Sequence, residues 1–134
     1  MSRTFAANLI CMKFHLQKQA GQNLFTGYGT GYVLVNNVRY ERSLVVTPER
    51  VVESWQVAAF DRLDASHFEF LRALKPEIVL LGTGATMRFP PPALSRGLLT
   101  ERIGFEVMDT PAACRTYNIL MAEGRNVVAA VLPA

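Results

Sequence analysis

Cysteine and histidine are scarce in this 134-residue chain, two of each: Cys11, Cys114, His15 and His67. No Cys-x-x-Cys or His-x-x-x-His pair exists, so a zinc site has nothing to build on and no metal is expected. A Cys11–Cys114 disulfide is the one bridge available, and a domain with a sufficient core does not need it. No apolar run approaches the roughly 18–20 residues of a membrane span. The apolar stretch Leu9–Met12 is also too short for a secretory signal. No Gly-Lys-Ser or Gly-Lys-Thr occurs, which removes a P-loop. Acidic residues are missing altogether from residues 1–40, where Arg3, Lys13, Lys18 and Arg39 are the only charges. Acid-poor basic starts also occur in transit peptides. Here the span from Gly27 to Tyr40 already reads as folded strand, so a soluble, cytoplasmic protein is the expectation.

What is present is ordinary for a globular domain: half the residues are hydrophobic and 19% charged. The length suits one domain with a proper core. The formal net charge is +3 and the 14 Lys and Arg are scattered. A chain that grips nucleic acid carries its basic residues in a stripe, so nucleic acid is not an expected partner.

The hydrophobic pattern changes along the chain. A possible short strand at Met12–Gln17 precedes a glycine- and tyrosine-rich entry at residues 27–32 and a strand at 32–35. Asn36-Asn37 is a hairpin turn signal, since asparagine tolerates positive φ. Residues 38–47 read as the returning strand and 51–55 as a third. Ser66 and Glu69 then fit a capping box opening a helix with Phe68, Leu71 and Leu74 on one face. Pro76 stops it. Residues 77–81, with the continuous apolar run 78–81, read as a buried parallel strand. Pro92 is placed as a first-turn proline of a second helix, with Gly104 as its C-terminal cap. A strand at 105–108, a helix at 112–123 opened by Thr110-Pro111, and a last apolar strand at 126–132 complete the order. Alternation of this kind means parallel strands with crossover helices. The expected fold class is α/β: a three-layer single domain with a mixed central sheet, an N-terminal β-hairpin followed by alternating helices and strands.

The turn Gly82-Thr83-Gly84 follows the buried strand, where loops of α/β sheets converge on ligands. Free amides in a glycine-rich turn can point at an anion. The dinucleotide fingerprint needs a third glycine opening a helix directly, and this chain has Met87 there with three prolines behind it. A tight turn that demands small residues is the competing reading. Cys114 lies one turn into the last helix, where a helix dipole can lower a thiol pKa. No base comes with it in a defensible order, so a small buried residue is the simpler reading and no catalytic residue is assigned. Residues 113, 117, 120 and 121 form the expected core stripe of that helix, with 111, 114 and 118 beside it. Arg115 suits a carboxylate, a phosphate or a partner's acidic group. Trp55 is either core or an interface anchor. Phe25, Tyr28 and Tyr32 are candidates for an exposed aromatic rim.

Three blocks in order carry a resemblance: "GYGTGYVLVNNVRYERSLVVTPERVVESW", "PEIVLLGTG" and "GFEVMDTPAACRTYNILMAEGRNVVAAVL". Across residues 12–132 they resemble the Mth-type domain family, whose eukaryotic members include the mitochondrial NADH dehydrogenase (complex I) assembly factor 3. The resemblance implies a three-layer α/β domain and no agreed catalytic residue. It marks Gly82, Thr83, Gly84, Thr110, Arg115 and Asn118 as positions for a ligand or a partner. It also implies a family start at Met12, so that 1–11 is an extension and 12–134 the domain. Pro111 stands where a smaller residue is the family's expectation.

Two functions remain at this point. One is a non-enzymatic binding or assembly-factor-like module with a protein partner and no cofactor. The other is a protein or enzyme for a small anion, held between the Gly82–Gly84 turn and the start of the Thr110 helix.

Overall fold

Residues 21–134 are described by the computed structural model. The extension 1–11, the strand expected at Met12–Gln17, Cys11 and His15 lie outside the described residues. Strands β1 (Phe25–Gly29), β2 (Tyr32–Val35) and β3 (Val38–Tyr40) form a three-stranded antiparallel sheet. Asn36 and Asn37 make the β2–β3 turn at φ 52° and 68°, the left-handed pair that a two-residue hairpin needs. A five-stranded sheet follows, from β4 (Leu44–Val46), β5 (Val51–Val52), β6 (Ile78–Gly82), β7 (Gly104–Met108) and β8 (Val127–Val131). Its order is β5-β4-β8-β6-β7. β6 pairs in parallel with β8 and β7, whereas β4 is antiparallel to β8 and to β5. The sheet is mixed, as expected for this α/β chain.

The long returning strand read at 38–47 is two strands. β3 closes the small sheet and β4 enters the large one, and residues 41–43 carry the chain between them. Ser43 anchors the crossing: its hydroxyl donates to the Trp55 carbonyl at 2.8 Å and accepts from the Val57 amide at 2.9 Å. The strand read at 51–55 is only Val51–Val52, and Trp55 lies beyond it in the core.

Adjacent residues of the central strands bury on opposite faces, which explains their continuous apolar runs. Val45, Val79, Leu81, Val128 and Ala130 meet Trp55 and the helices α1 (Ala65–Ala73) and α2 (Pro92–Thr100). Leu44, Val46, Leu80, Val127, Ala129 and Val131 meet helix α3 (Thr110–Ala122) and the small sheet. The result is three layers: two helices, the mixed sheet, then α3 with the hairpin sheet.

Helix ends refine two expectations. The N-cap of α1 is Asp64, not Ser66. The Asp64 carboxylate accepts from the Ser66 and His67 amides, and His67 Nδ1 accepts from the Asp64 amide at 3.1 Å. Hydrogen bonding, chiefly from the Ser66 hydroxyl, holds the Asp64 carboxyl below its usual range. Glu69 instead pairs with Arg72, which also pairs with Glu101. Pro92 does open α2, but Gly104 is not its cap. Arg102 takes the left-handed conformation there, at φ 61°, and Gly104 begins β7.

Candidate functional site

The Gly82–Gly84 turn and the start of α3 are built against each other. Thr110 is fully buried and its hydroxyl is the hub. Oγ1 accepts from the Gly84 amide at 2.9 Å and donates to the Leu132 carbonyl at 2.5 Å. The Thr110 amide returns a bond to the Gly84 carbonyl at 2.9 Å, and the Leu132 amide donates to the Gly82 carbonyl at 2.9 Å. The Thr83 amide donates to the Met108 carbonyl at 2.9 Å. The Thr83 hydroxyl bridges the Thr86 carbonyl, at 2.7 Å, and the Arg88 amide, at 3.1 Å. Both glycines are required by this closure. A Cβ on Gly82 would sit 3.0 Å from Thr110 Oγ1 and from Val131 Cγ1. Gly84 has φ +103°, a conformation that a side chain strains.

The N-terminus of α3 is likewise occupied. Asp109 caps it, its carboxylate accepting from the Ala112 amide at 2.8 Å. A carboxylate at this end of the helix already satisfies the positive dipole that would attract an anion. The amides of Thr83 and Gly84 and the cap of α3 are therefore all committed to protein atoms.

Arg115 and Asn118 do not join that cluster. Arg115 is exposed and its guanidinium donates to the Tyr28 hydroxyl at 2.6 Å, on the hairpin-sheet side of α3. A second arginine–tyrosine pair, Arg39 over Tyr32 at 3.9 Å from the ring centroid, occupies the same small sheet. Asn118 acts as a surrogate strand. Its amide oxygen accepts from the Phe25 N–H at 2.9 Å and its nitrogen donates to the Phe25 carbonyl at 2.7 Å. Four of the six positions thus form one turn-and-cap unit, Arg115 meets Tyr28, and Asn118 ties α3 to β1.

Cys114 is buried among apolar side chains, and that burial pushes its thiol up to about 12. The dipole of α3 does not rescue it, since desolvation disfavours the thiolate more. Tyr117 beside it is raised for the same reason, its hydroxyl donating to the Asn23 carbonyl at 3.0 Å. Of the expected aromatic rim, Tyr28 is 38% exposed, but Phe25 is buried edge-on against Tyr117. Trp55 is also buried, its indole N–H donating to the His67 carbonyl at 3.1 Å. Large aromatic side chains carry much of a core's buried area, and these two serve opposite faces of the large sheet: Trp55 packs on the α1–α2 side and Phe25 on the side of α3 and the small sheet.

The outer side of the turn borders an open cleft of about 390 Å³, with Phe60, Thr83, Gly84, Arg88 and Pro133 on its wall. Arg88 lies over the Phe60 ring at 4.3 Å and donates to Asp61 at 2.9 Å. Sequence reasoning missed Arg88 and Tyr28's pairing with Arg115. Arg88 follows the turn by only four residues, which was a readable signal; the Tyr28–Arg115 contact joins positions 87 apart and had none. Among the described residues no group of His, Cys, Asp and Glu could hold a metal ion.

Residues 25–132 match the family described as "Protein of unknown function (DUF498/DUF598)". A crystal structure of a Bordetella parapertussis protein is similar at 45% identity and TM-score 0.81, over 86% of this chain and 98% of that one. A solution structure from Bordetella pertussis, called a Mth938-like domain, is 37% identical with TM-score 0.75, over 86% and 88%. The NADH dehydrogenase [ubiquinone] 1 alpha subcomplex assembly factor 3 of Bos taurus is 34% identical over 108 residues, 79% of this chain. The match spans 58% of the Bos taurus protein's length.

Proposed function

This chain belongs to the DUF498/DUF598 family of Mth938-like domains, and from that premise we propose that it is a non-enzymatic binding module of the assembly-factor kind. The observation that carries the reading is the closure of the Gly82–Gly84 turn on Thr110. The groups that an anion or a substrate would need there are spent on holding the fold. The assembly-factor names of the eukaryotic relatives support a protein partner as the thing bound. We assign its contact point to Arg115 and Tyr28, an exposed, hydrogen-bonded pair drawn from the residue types enriched at interface hot spots. Gly82, Thr83, Gly84, Thr110 and Asn118 serve by positioning α3 and β1 beneath that pair. The cytoplasm is the proposed compartment, and cell fractionation tests it.

Affinity capture with chemical cross-linking, using the wild-type chain and Arg115→Ala, tests the assignment. The variant is expected to recover the partner about tenfold less well, the cost of truncating an interface arginine. Its melting temperature should be unchanged, because the side chain is exposed. Equal recovery by both proteins removes Arg115 from the interface.

A small anion is the second reading, favoured by the cleft beside Thr83 and Gly84. The cation on that cleft is Arg88, which an anion would share with Asp61, and not Arg115. A thermal-shift panel of phosphate, nucleotides and small carboxylates, repeated on Arg88→Ala, decides it. A specific ligand at 100 times its dissociation constant adds about 2.7 kcal/mol, a shift of several degrees in a domain of this size. No shift in the panel removes this reading.

A further inference from the structure

Sheet edges present unpaired backbone groups that other chains can use, and proteins blunt them by keeping them short, covered or charged. β5 is short, with two residues. β1 has the Asn118 side chain bonded to its Phe25 backbone. β7 differs: it has five residues and, among the described residues, it pairs only with β6 and stands at the end of the sheet. Beside it runs a groove of about 570 Å³ with Phe89, Pro90, Pro92, Phe105 and Val107 along it. Phe89, on the groove, is 71% exposed, and Met87, two residues before it in sequence, is 54% exposed. The single charge on the strand is Glu106, at its midpoint, which borders the groove and forms no salt bridge among the described residues.

We propose that β7 is a strand-addition site for an extended segment of a different protein, one that carries a large apolar side chain for the Phe89 groove and a Lys or Arg opposite Glu106. Strand addition draws affinity from main-chain hydrogen bonds and specificity from alternate side chains. The charge argues against a second copy as the occupant. Antiparallel pairing of β7 with itself in its full register sets Glu106 opposite its own copy, and like charges directly opposite are destabilising. A slip that separates them shortens the pairing. A basic residue on a foreign strand relieves the repulsion that a second copy would meet.

This inference rests on the binding-module reading and adds a second face to it, with a partner chemistry. The probe is a synthetic nine-residue peptide alternating Val with Lys around a central Phe, titrated into the full chain at low salt and followed by amide chemical shifts. The control carries Glu in place of Lys. Shifts are expected at residues 104–108 and 87–89. The Glu peptide should bind about tenfold more weakly, and Glu106→Lys should reverse the order. Phe89→Ala, at an exposed position, should weaken the Lys peptide without lowering the melting temperature. Absence of binding, shifts confined to the Tyr28–Arg115 face, or an order unchanged in Glu106→Lys overturns the proposal. So does a free-chain dimer in sedimentation that protects the 104–108 amides. A partner captured through Arg115 and indifferent to Glu106→Lys keeps the binding-module reading while ending this one.

Discussion

Thr110 shows how a single hydroxyl can decide the character of a candidate site. It is buried and satisfies one donor and one acceptor from two different segments, the turn after β6 and the tail after β8. Thr110→Val keeps the shape and removes both bonds, leaving the Gly84 amide and the Leu132 carbonyl without their partner. Chemical denaturation should show a loss of about 2–3 kcal/mol, the cost of stranding buried polar groups. Thr110→Ser retains the hydroxyl and should recover most of that loss. Near-identical stability of the valine and serine variants would mean that the hydroxyl does not hold the turn. The threonine itself was visible in the sequence as a helix-start residue beside Asp109 and Pro111. Its grip on Gly84 and Leu132 was not, because 26 and 22 positions separate the partners.

At the scale of elements, Asn118 performs a task usually done by a strand. Its amide closes two bonds to the Phe25 backbone and so fixes α3 against β1. Asn118→Ala should cost about 2 kcal/mol and speed hydrogen exchange at Phe25, while the amides of β6 and β8 keep their protection. Uniform acceleration across both sheets would contradict so local a role. Helical spacing had set residue 118 beside the core stripe of α3, which is where it sits. It could not show what the asparagine meets there, since β1 is brought alongside only by the packing of the small sheet. The cap of α1 has the same origin. Ser66 and Glu69 have the right spacing for a capping box, but Asp64 accepts more strongly and Glu69 is drawn to Arg72.

For the whole molecule, burial of Cys114 couples stability to alkaline pH. Its thiol is held neutral in the folded protein up to about 12, above its ordinary value, by desolvation. A raised folded-state pKa contributes stability that is fully present below the unfolded value, near 9, and is lost as pH rises from there through about 12. Tyr117 is shifted in the same direction and adds to the loss at the alkaline end. Unfolding free energy measured across pH 8 to 11 should therefore fall, and fall less in Cys114→Ala. At pH 8 a disulfide reagent should leave Cys114 unmodified until denaturant is added. Rapid modification of the native chain would show an open thiol and reverse the assignment.

The α/β class, the mixed sheet and the alternating order from α1 to β8 were written in local pattern: apolar runs, proline starts and the Asn36-Asn37 turn. Such signals act within a few residues, so they survive without a partner segment. Tertiary structure alone decided the rest. It split residues 38–47 between two sheets and put Trp55 and Phe25 inside. It closed the Gly82–Gly84 turn on Thr110, and it turned Arg115 toward Tyr28 rather than toward that turn. Each of these depends on which distant backbone groups are near enough to bond, and one-dimensional periodicity carries no information about that distance.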